Sequence, residues 1–167
     1  MPTPTALPSS FTAGDVLTAA NMNLLRGAFR ILQVVYGSSS TSTSSSTNVF
    51  VDTGLSVAIT PTLSSSKVLA FVNMADCSKD TGNTGLSLRL VRTSTTILEF
   101  AGDACFTNNT SRNDVGSVSC VFLDSPATTS ATTYKVQMRS SFNTAAVFVS
   151  RGSTASLSTM VLCEVSA

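Results

Sequence analysis

The chain has 167 residues, enough for one domain whose core needs neither disulfides nor metal. Only 11% of its residues are charged, while serine and threonine together number 52, so hydroxyls stand where an ordinary soluble surface carries charge. Ten basic against nine acidic side chains leave a formal charge of +1 with no histidine, which disfavours nucleic-acid binding and removes the commonest general base and metal ligand.

Residues 1–10 contain Pro2, Pro4 and Pro8, each of which fixes φ and lacks a backbone donor, and so read as an extended arm. They carry no basic residue and no apolar run, so a signal peptide or membrane-spanning helix is not expected and a protein made in a reducing cytoplasm is. The next stretch frames a helix of about two turns over 19–26: Thr18 is a good N-cap, Leu17 and Met22 are placed as a hydrophobic staple, and Gly27 suits the left-handed C′ position. A helix this short is marginal alone in water. Its apolar residues therefore call for a docking surface, and residues 1–28 are expected to attach the protein to something else.

From Phe29 onward, short segments rich in Val, Ile, Leu, Phe and Thr alternate with Gly, Ser, Asn and Asp, the pattern of strands and turns. Strands are expected at 30–36, 49–53, 55–60, 67–74, 86–92, 96–100, 117–124, 134–139, 146–150 and 157–165. The clearest alternations place Leu55, Val57 and Ile59, then Leu86, Leu88 and Leu90, then Tyr134, Val136 and Met138 on inward faces. About ten strands with no interleaved helix predict a mainly β fold over 29–167, an antiparallel sandwich, jelly roll or barrel. The Ser/Thr run 37–48 reads as a surface loop between the first two strands.

Candidate chemistry is sparse. The only glutamates are Glu99 and Glu164, both in strand-like runs. Asp52 and Asp124 precede Thr-Gly and Ser-Pro, which suits side chains capping their own turns. Residues 76–85, DCSKDTGNTG, could offer oxygen ligands to a hard cation but lack an EF-hand pattern, so a turn-rich loop is expected, with no metal and no cofactor. Five of the seven arginines, Arg89, Arg92, Arg112, Arg139 and Arg151, read either as solvated strand faces or as a basic face for an acidic partner. Cys77, Cys105, Cys120 and Cys163 show no C-x-x-C spacing and are expected as free thiols. Recognition residues are therefore sought in loops at one end of the sandwich: Lys79, Asp80, Asn83, Asn108, Asn109, Arg112, Asn113 and Asn143.

Three segments carry a resemblance. FTAGDVLTAANMN at 11–23, VDTGLSVAITPTLSSSKVLAFV at 51–72, and FLDSPATTSATTYKVQM at 122–138 followed by RGSTASLSTMVLCEV at 151–165 resemble segments of small structural proteins of tailed bacteriophages. The resemblance implies a trimeric, jelly-roll-like virion component that attaches by its N-terminal segment. On that basis Phe11, Val16, Leu17, Met22, Leu24 and Leu25 are expected to dock on the virion. The expected partners are further copies of the chain, other virion proteins and a host surface receptor, without nucleic acid or membrane insertion. A fibre-like, non-enzymatic appendage leads. A capsid decoration or cement protein is the alternative within that class, and a carbohydrate-binding module or depolymerase fragment the alternative outside it.

Overall fold

The computed structural model describes residues 30–108, 111–142, 145–152 and 156–166. The expected arm and helix, with Phe11, Val16, Leu17, Met22, Leu24 and Leu25, lie outside the described residues, as do Asn109 and Asn143. Among the described residues there is no helix. Ten strands form: β1 (Ile31–Ser39), β2 (Thr43–Ser45), β3 (Val51–Ile59), β4 (Lys67–Lys79), β5 (Leu86–Arg92), β6 (Thr95–Ala104), β7 (Asn113–Asp124), β8 (Thr132–Ser140), β9 (Val147–Val149) and β10 (Ser158–Val165).

The alternations sort these strands into a sandwich. Leu55, Val57 and Ile59 of β3, Leu86, Leu88 and Leu90 of β5, and Tyr134, Val136 and Met138 of β8 are all buried. They face Val68, Ala70, Val72 and Met74 of β4 and Met160 and Leu162 of β10 in one continuous core. One sheet runs β1, β10, β4, β7, with the short β9 pairing the last two residues of β4 and β2 pairing β9. The other runs β3, β8, β5, β6. Every pairing is antiparallel. The long strands also pair as nested partners about the β5/β6 hairpin: β5 with β6, β4 with β7, β3 with β8 and β1 with β10.

Three expectations need correction. Residues 49–53 and 55–60 are not separate strands but one, β3, because Gly54 at φ +86° absorbs a bulge and the pairing with β8 resumes after a register shift between Asp52 and Ser56. The Ser/Thr run 37–48 is not simply a loop. Residues 37–39 extend β1 and Thr43–Ser45 form β2, where the Thr43 hydroxyl donates to the Thr53 carbonyl at 3.0 Å. A Ser/Thr segment can order itself in this way because its hydroxyls fit a pleated, half-buried surface. The strand expected at 67–74 continues to Lys79, its register shifting between Met74 and Cys77, where Asp76 takes a left-handed φ of 44°.

β4 gives the domain its polarity. At its first residues it lies beside Val165 and Asp124, and at its last beside Asn113 and Val147, a span of about 40 Å for a strand of this length. The chain enters at the first end: Arg30 N–H donates to Ser166 Oγ at 3.0 Å, and Ser166 N–H donates to the Arg30 carbonyl at 2.9 Å.

Candidate functional site

At the opposite end, backbone and side-chain bonds gather three loops that are far apart in sequence. Ser141 N–H donates to the Gly85 carbonyl at 2.9 Å and Gly85 N–H to Ser141 Oγ at 3.1 Å, while Phe142 N–H donates to Thr84 Oγ1 at 3.2 Å. The hydroxyls of Thr84 and Ser140 are 2.7 Å apart and buried. Asp80 N–H reaches the Ala146 carbonyl at 2.9 Å, and Asn113 Nδ2 donates to the Cys105 carbonyl at 2.9 Å. The described residues 80–85, 105–108, 111–112, 140–142 and 145–146 therefore form one surface.

The expected contact residues divide within it. Asn83, Asn108 and Arg112 are exposed. Lys79 is a correction: it is fully buried, and its ammonium donates to the Gly82 carbonyl at 2.5 Å and the Thr107 carbonyl at 3.3 Å. It ties the first two loops together instead of meeting a ligand, because the last residue of β4 turns inward beneath them. Asp80 accepts from Arg151 at 2.6 Å, and Arg112 pairs with Asp114 at 2.9 Å. Asn113 begins β7 and is half-buried.

The surface also carries an aromatic pair absent from the sequence expectation. Phe106 and Phe142 lie with ring centroids 5.4 Å apart, a stabilising tilted arrangement, and each keeps a substantial exposed area. Each stands alone among polar residues in its loop, so a search for Trp and Tyr platforms passes over it. A phenylalanine in a strand is explained by the core, whereas one in a Ser/Asn loop is not, and that was the available signal.

Elsewhere the charged groups pair within the chain. Arg92 contacts Asp124 at 2.7 Å, Arg139 contacts Glu99 at 3.5 Å, and Arg151 also stacks over Phe148 at 3.8 Å. Arg89 donates to Gln137 Oε1 through Nε at 2.9 Å and Nη2 at 2.6 Å, and stacks over Phe50 at 3.9 Å. Arg139 stacks over the same ring at 4.6 Å. Among the described residues, Arg89, Arg92, Arg112, Arg139 and Arg151 are thus engaged within the chain. Asp52 and Asp124 do not cap their own turns as expected. Asp52 accepts from Lys135 at 2.9 Å and Gln137 at 2.7 Å across to β8, and Asp124 bridges the sheets.

Glu164 is also buried and structural. Burial pushes its carboxyl up, but Gln33 Nε2 at 2.6 Å and the Thr62 N–H and Oγ1, each at 2.7 Å, outweigh that and hold it down to about 2. The acids of the 76–85 segment diverge: Asp76 is engaged by Gly152 N–H and the Ser156 hydroxyl, and Asp80 by Arg151. Among the described residues no three metal-ligating side chains gather, and the four cysteines are free. No protein-family model matches the chain, and comparison with the curated proteins finds no relative.

Proposed function

We propose that this chain is a non-enzymatic structural component of a tailed-phage virion, a fibre-like appendage whose N-terminal residues attach it to the particle and whose trimeric β domain projects outward. The observation that carries the reading is the polarity of the domain. The N-terminal segment joins at Arg30, beside Ser166, while the loops bearing Asn83, Asn108, Arg112, Phe106 and Phe142 gather about 40 Å away along β4. An attachment point and a presented surface at opposite ends suit an appendage.

The strand order supports the jelly-roll part of the reading. Eight long strands paired as nested partners about the β5/β6 hairpin, four of them in the six-stranded sheet and four making up the other, follow the double Greek key order of a jelly roll. The absence of histidine from the chain and the in-chain partners of Glu164, Asp124 and Asp52 support a role without catalysis.

Particles carrying the full chain, compared with particles made with a variant lacking residues 1–28, test this function. Immunogold labelling is expected to find the full chain on the outside of the particle and to lose it with the truncation, while the truncated β domain keeps nearly the same thermal unfolding. Label spread evenly over the shell would favour a decoration protein, and no label on any particle would remove the virion reading. The exposed Phe106 and Phe142 pair favours a second reading, carbohydrate recognition at the same end, since an aromatic face can stack on a sugar ring. Glycan-array binding by the parent that is lost in Phe142→Ala would support it.

A further inference from the structure

The two outer faces of the sandwich differ in kind. On the β3, β8, β5, β6 sheet the outward side chains include Asp52, Lys135, Gln137, Arg89 and Glu99, linked by hydrogen bonds and ion pairs. On the β1, β10, β4, β7 sheet two complete rows running across all four strands are apolar. One row is Val34, Cys163, Leu69 and Leu123; the next is Tyr36, Val161, Phe71 and Val121. Their inward neighbours Val35, Leu162, Ala70 and Phe122 already supply the core, so core packing does not account for the outward set.

The sequence carries the same asymmetry. LSVAI, LSLRL and YKVQM on the charged-face sheet alternate, whereas VVY, VLAFV, CVFL and MVLC on the other are nearly continuous apolar runs. Continuous runs mark strands covered on both faces. Four strands of one sheet share that pattern, and among the described residues no element packs over their outer face.

We infer that this outer face is where copies of the chain pack against one another in the trimer, an inference that rests on the assembling role proposed above. Charge and area favour a second copy of the chain on this face. Neither row contains a charged residue, so two such faces meet without repulsion and an acidic or basic partner gains nothing there. With Val121 61%, Val34 58%, Tyr36 57% and Phe71 42% exposed, the two rows offer on the order of 500 Å² of apolar surface, at the upper end of what a lone monomer shows. A closed ring divides this stripe between the two contacts each copy makes, so the apolar rows form the centre of each contact and the polar surface around them completes the roughly 800 Å² per partner of a standard interface. Exposure is concentrated toward the two ends of the stripe, β1 and β7, while Cys163 on the central strand β10 is buried. In a closed threefold ring the β1 end of one copy meets the β7 end of the next. Both β1 and β7 are edge strands of their sheet, and the same contact shields their open edges.

The test is native mass spectrometry and light scattering on the full chain, beside Phe71→Lys, Val121→Lys and the double variant, with Ser56→Lys on the opposite face as control. Circular dichroism melts confirm that each is folded. Val121 lies on an edge strand and points outward, so its variant keeps the experiment informative if Phe71→Lys fails to fold. The parent and Ser56→Lys are expected at three chain masses, and each lysine on the apolar face should weaken association about tenfold or more. Folded Val121→Lys and double variants that remain trimers would overturn the assignment of this face and leave the trimer standing. A parent dimer that the face variants dissociate would keep the face and remove the trimer. A parent that is monomeric at all concentrations and in the particle would overturn both. Hydroxyl-radical footprinting gives an independent readout: Tyr36 and Phe71 should be protected in the assembled parent and become reactive in the double variant, and equal reactivity in both would exclude the face.

Discussion

Tyr134 of β8 donates its hydroxyl hydrogen to Asp124 of β7 at 2.7 Å across the space between the two sheets. Asp124 also accepts from Arg92 Nη1 at 2.9 and 2.7 Å, so one carboxylate fastens β5 and β8 of one sheet to β7 of the other. Burial first, and then the carboxylate it donates to, push the Tyr134 phenol well above its ordinary range. The bridge sits at the end where the chain enters, where Asp124 lies beside Val68 and Tyr134 beside Arg92.

Tyr134→Phe should therefore destabilise the domain by about 1–2 kcal/mol, since it removes one hydrogen bond to a buried carboxylate that keeps Arg92. Asp124→Ala should cost more, about 3 kcal/mol, because it leaves the Tyr134 hydroxyl and a partly buried guanidinium without their acceptor. Urea unfolding at one fixed protein concentration measures both. Equal stability of Tyr134→Phe and the parent would show that the bridge contributes nothing.

How much of this was legible in the sequence follows from what each segment must satisfy locally. Leu86, Leu88 and Leu90 or Tyr134, Val136 and Met138 announce a strand and its inward face, because a period of two has one explanation. The continuity of β3 through Gly54 was not legible, since a glycine beside a threonine reads equally as a turn or as a bulge. The partners of Asp124 and Asp52 were not legible either. Arg92 and Tyr134 are 32 and 10 residues away from Asp124, and only the sheet order brings them together. The inward turn of Lys79 was not legible, because it depends on the Gly82 and Thr107 carbonyls that the fold supplies.

Glu164 gives the domain an acid-sensitive element. Its ordinary value of 4.5 is lowered to about 2 in the folded chain, so the stability it contributes is fully present above about pH 4.5 and is lost as pH falls toward 2. Thermal unfolding of the parent between pH 7 and 2.5 should show that loss. Glu164→Gln should be less stable by about 1–3 kcal/mol at pH 7, having lost charged acceptors for Gln33 and Thr62, and the gap to the parent should narrow below pH 4. A constant gap across the range would assign the effect to packing.

Gly37 marks a tight approach between β1 and β3. A Cβ placed there meets the Val57 Cγ2 methyl, and Val57 is buried and β-branched, so it has little room to turn away. Gly37→Ala should cost about 1–3 kcal/mol through overpacking. Gly102, with nothing near its would-be Cβ, should accept alanine with a change within about 0.5 kcal/mol. The two melts are compared side by side, and equal effects would mean that β1 can shift to admit the methyl.

The buried thiols of Cys77 and Cys105 should be inert in the folded protein. Burial pushes Cys77 up to about 12 and Cys105 and Cys120 up to about 11, and the Cys77 thiol donates to the Met74 carbonyl at 3.4 Å, which further favours the protonated form. At pH 8 the reactive thiolate of Cys77 is then about one part in ten thousand, against roughly a quarter for an ordinary exposed cysteine. Iodoacetamide at pH 8 should leave Cys77 and Cys105 unlabelled in the native protein for as long as it stays folded, and label all four cysteines once it is denatured without reductant. Rapid native labelling of Cys77 would mean that β4 opens there, at the bulge around Asp76. A denatured mass showing only two labelled cysteines would instead reveal a disulfide and overturn the free-thiol state.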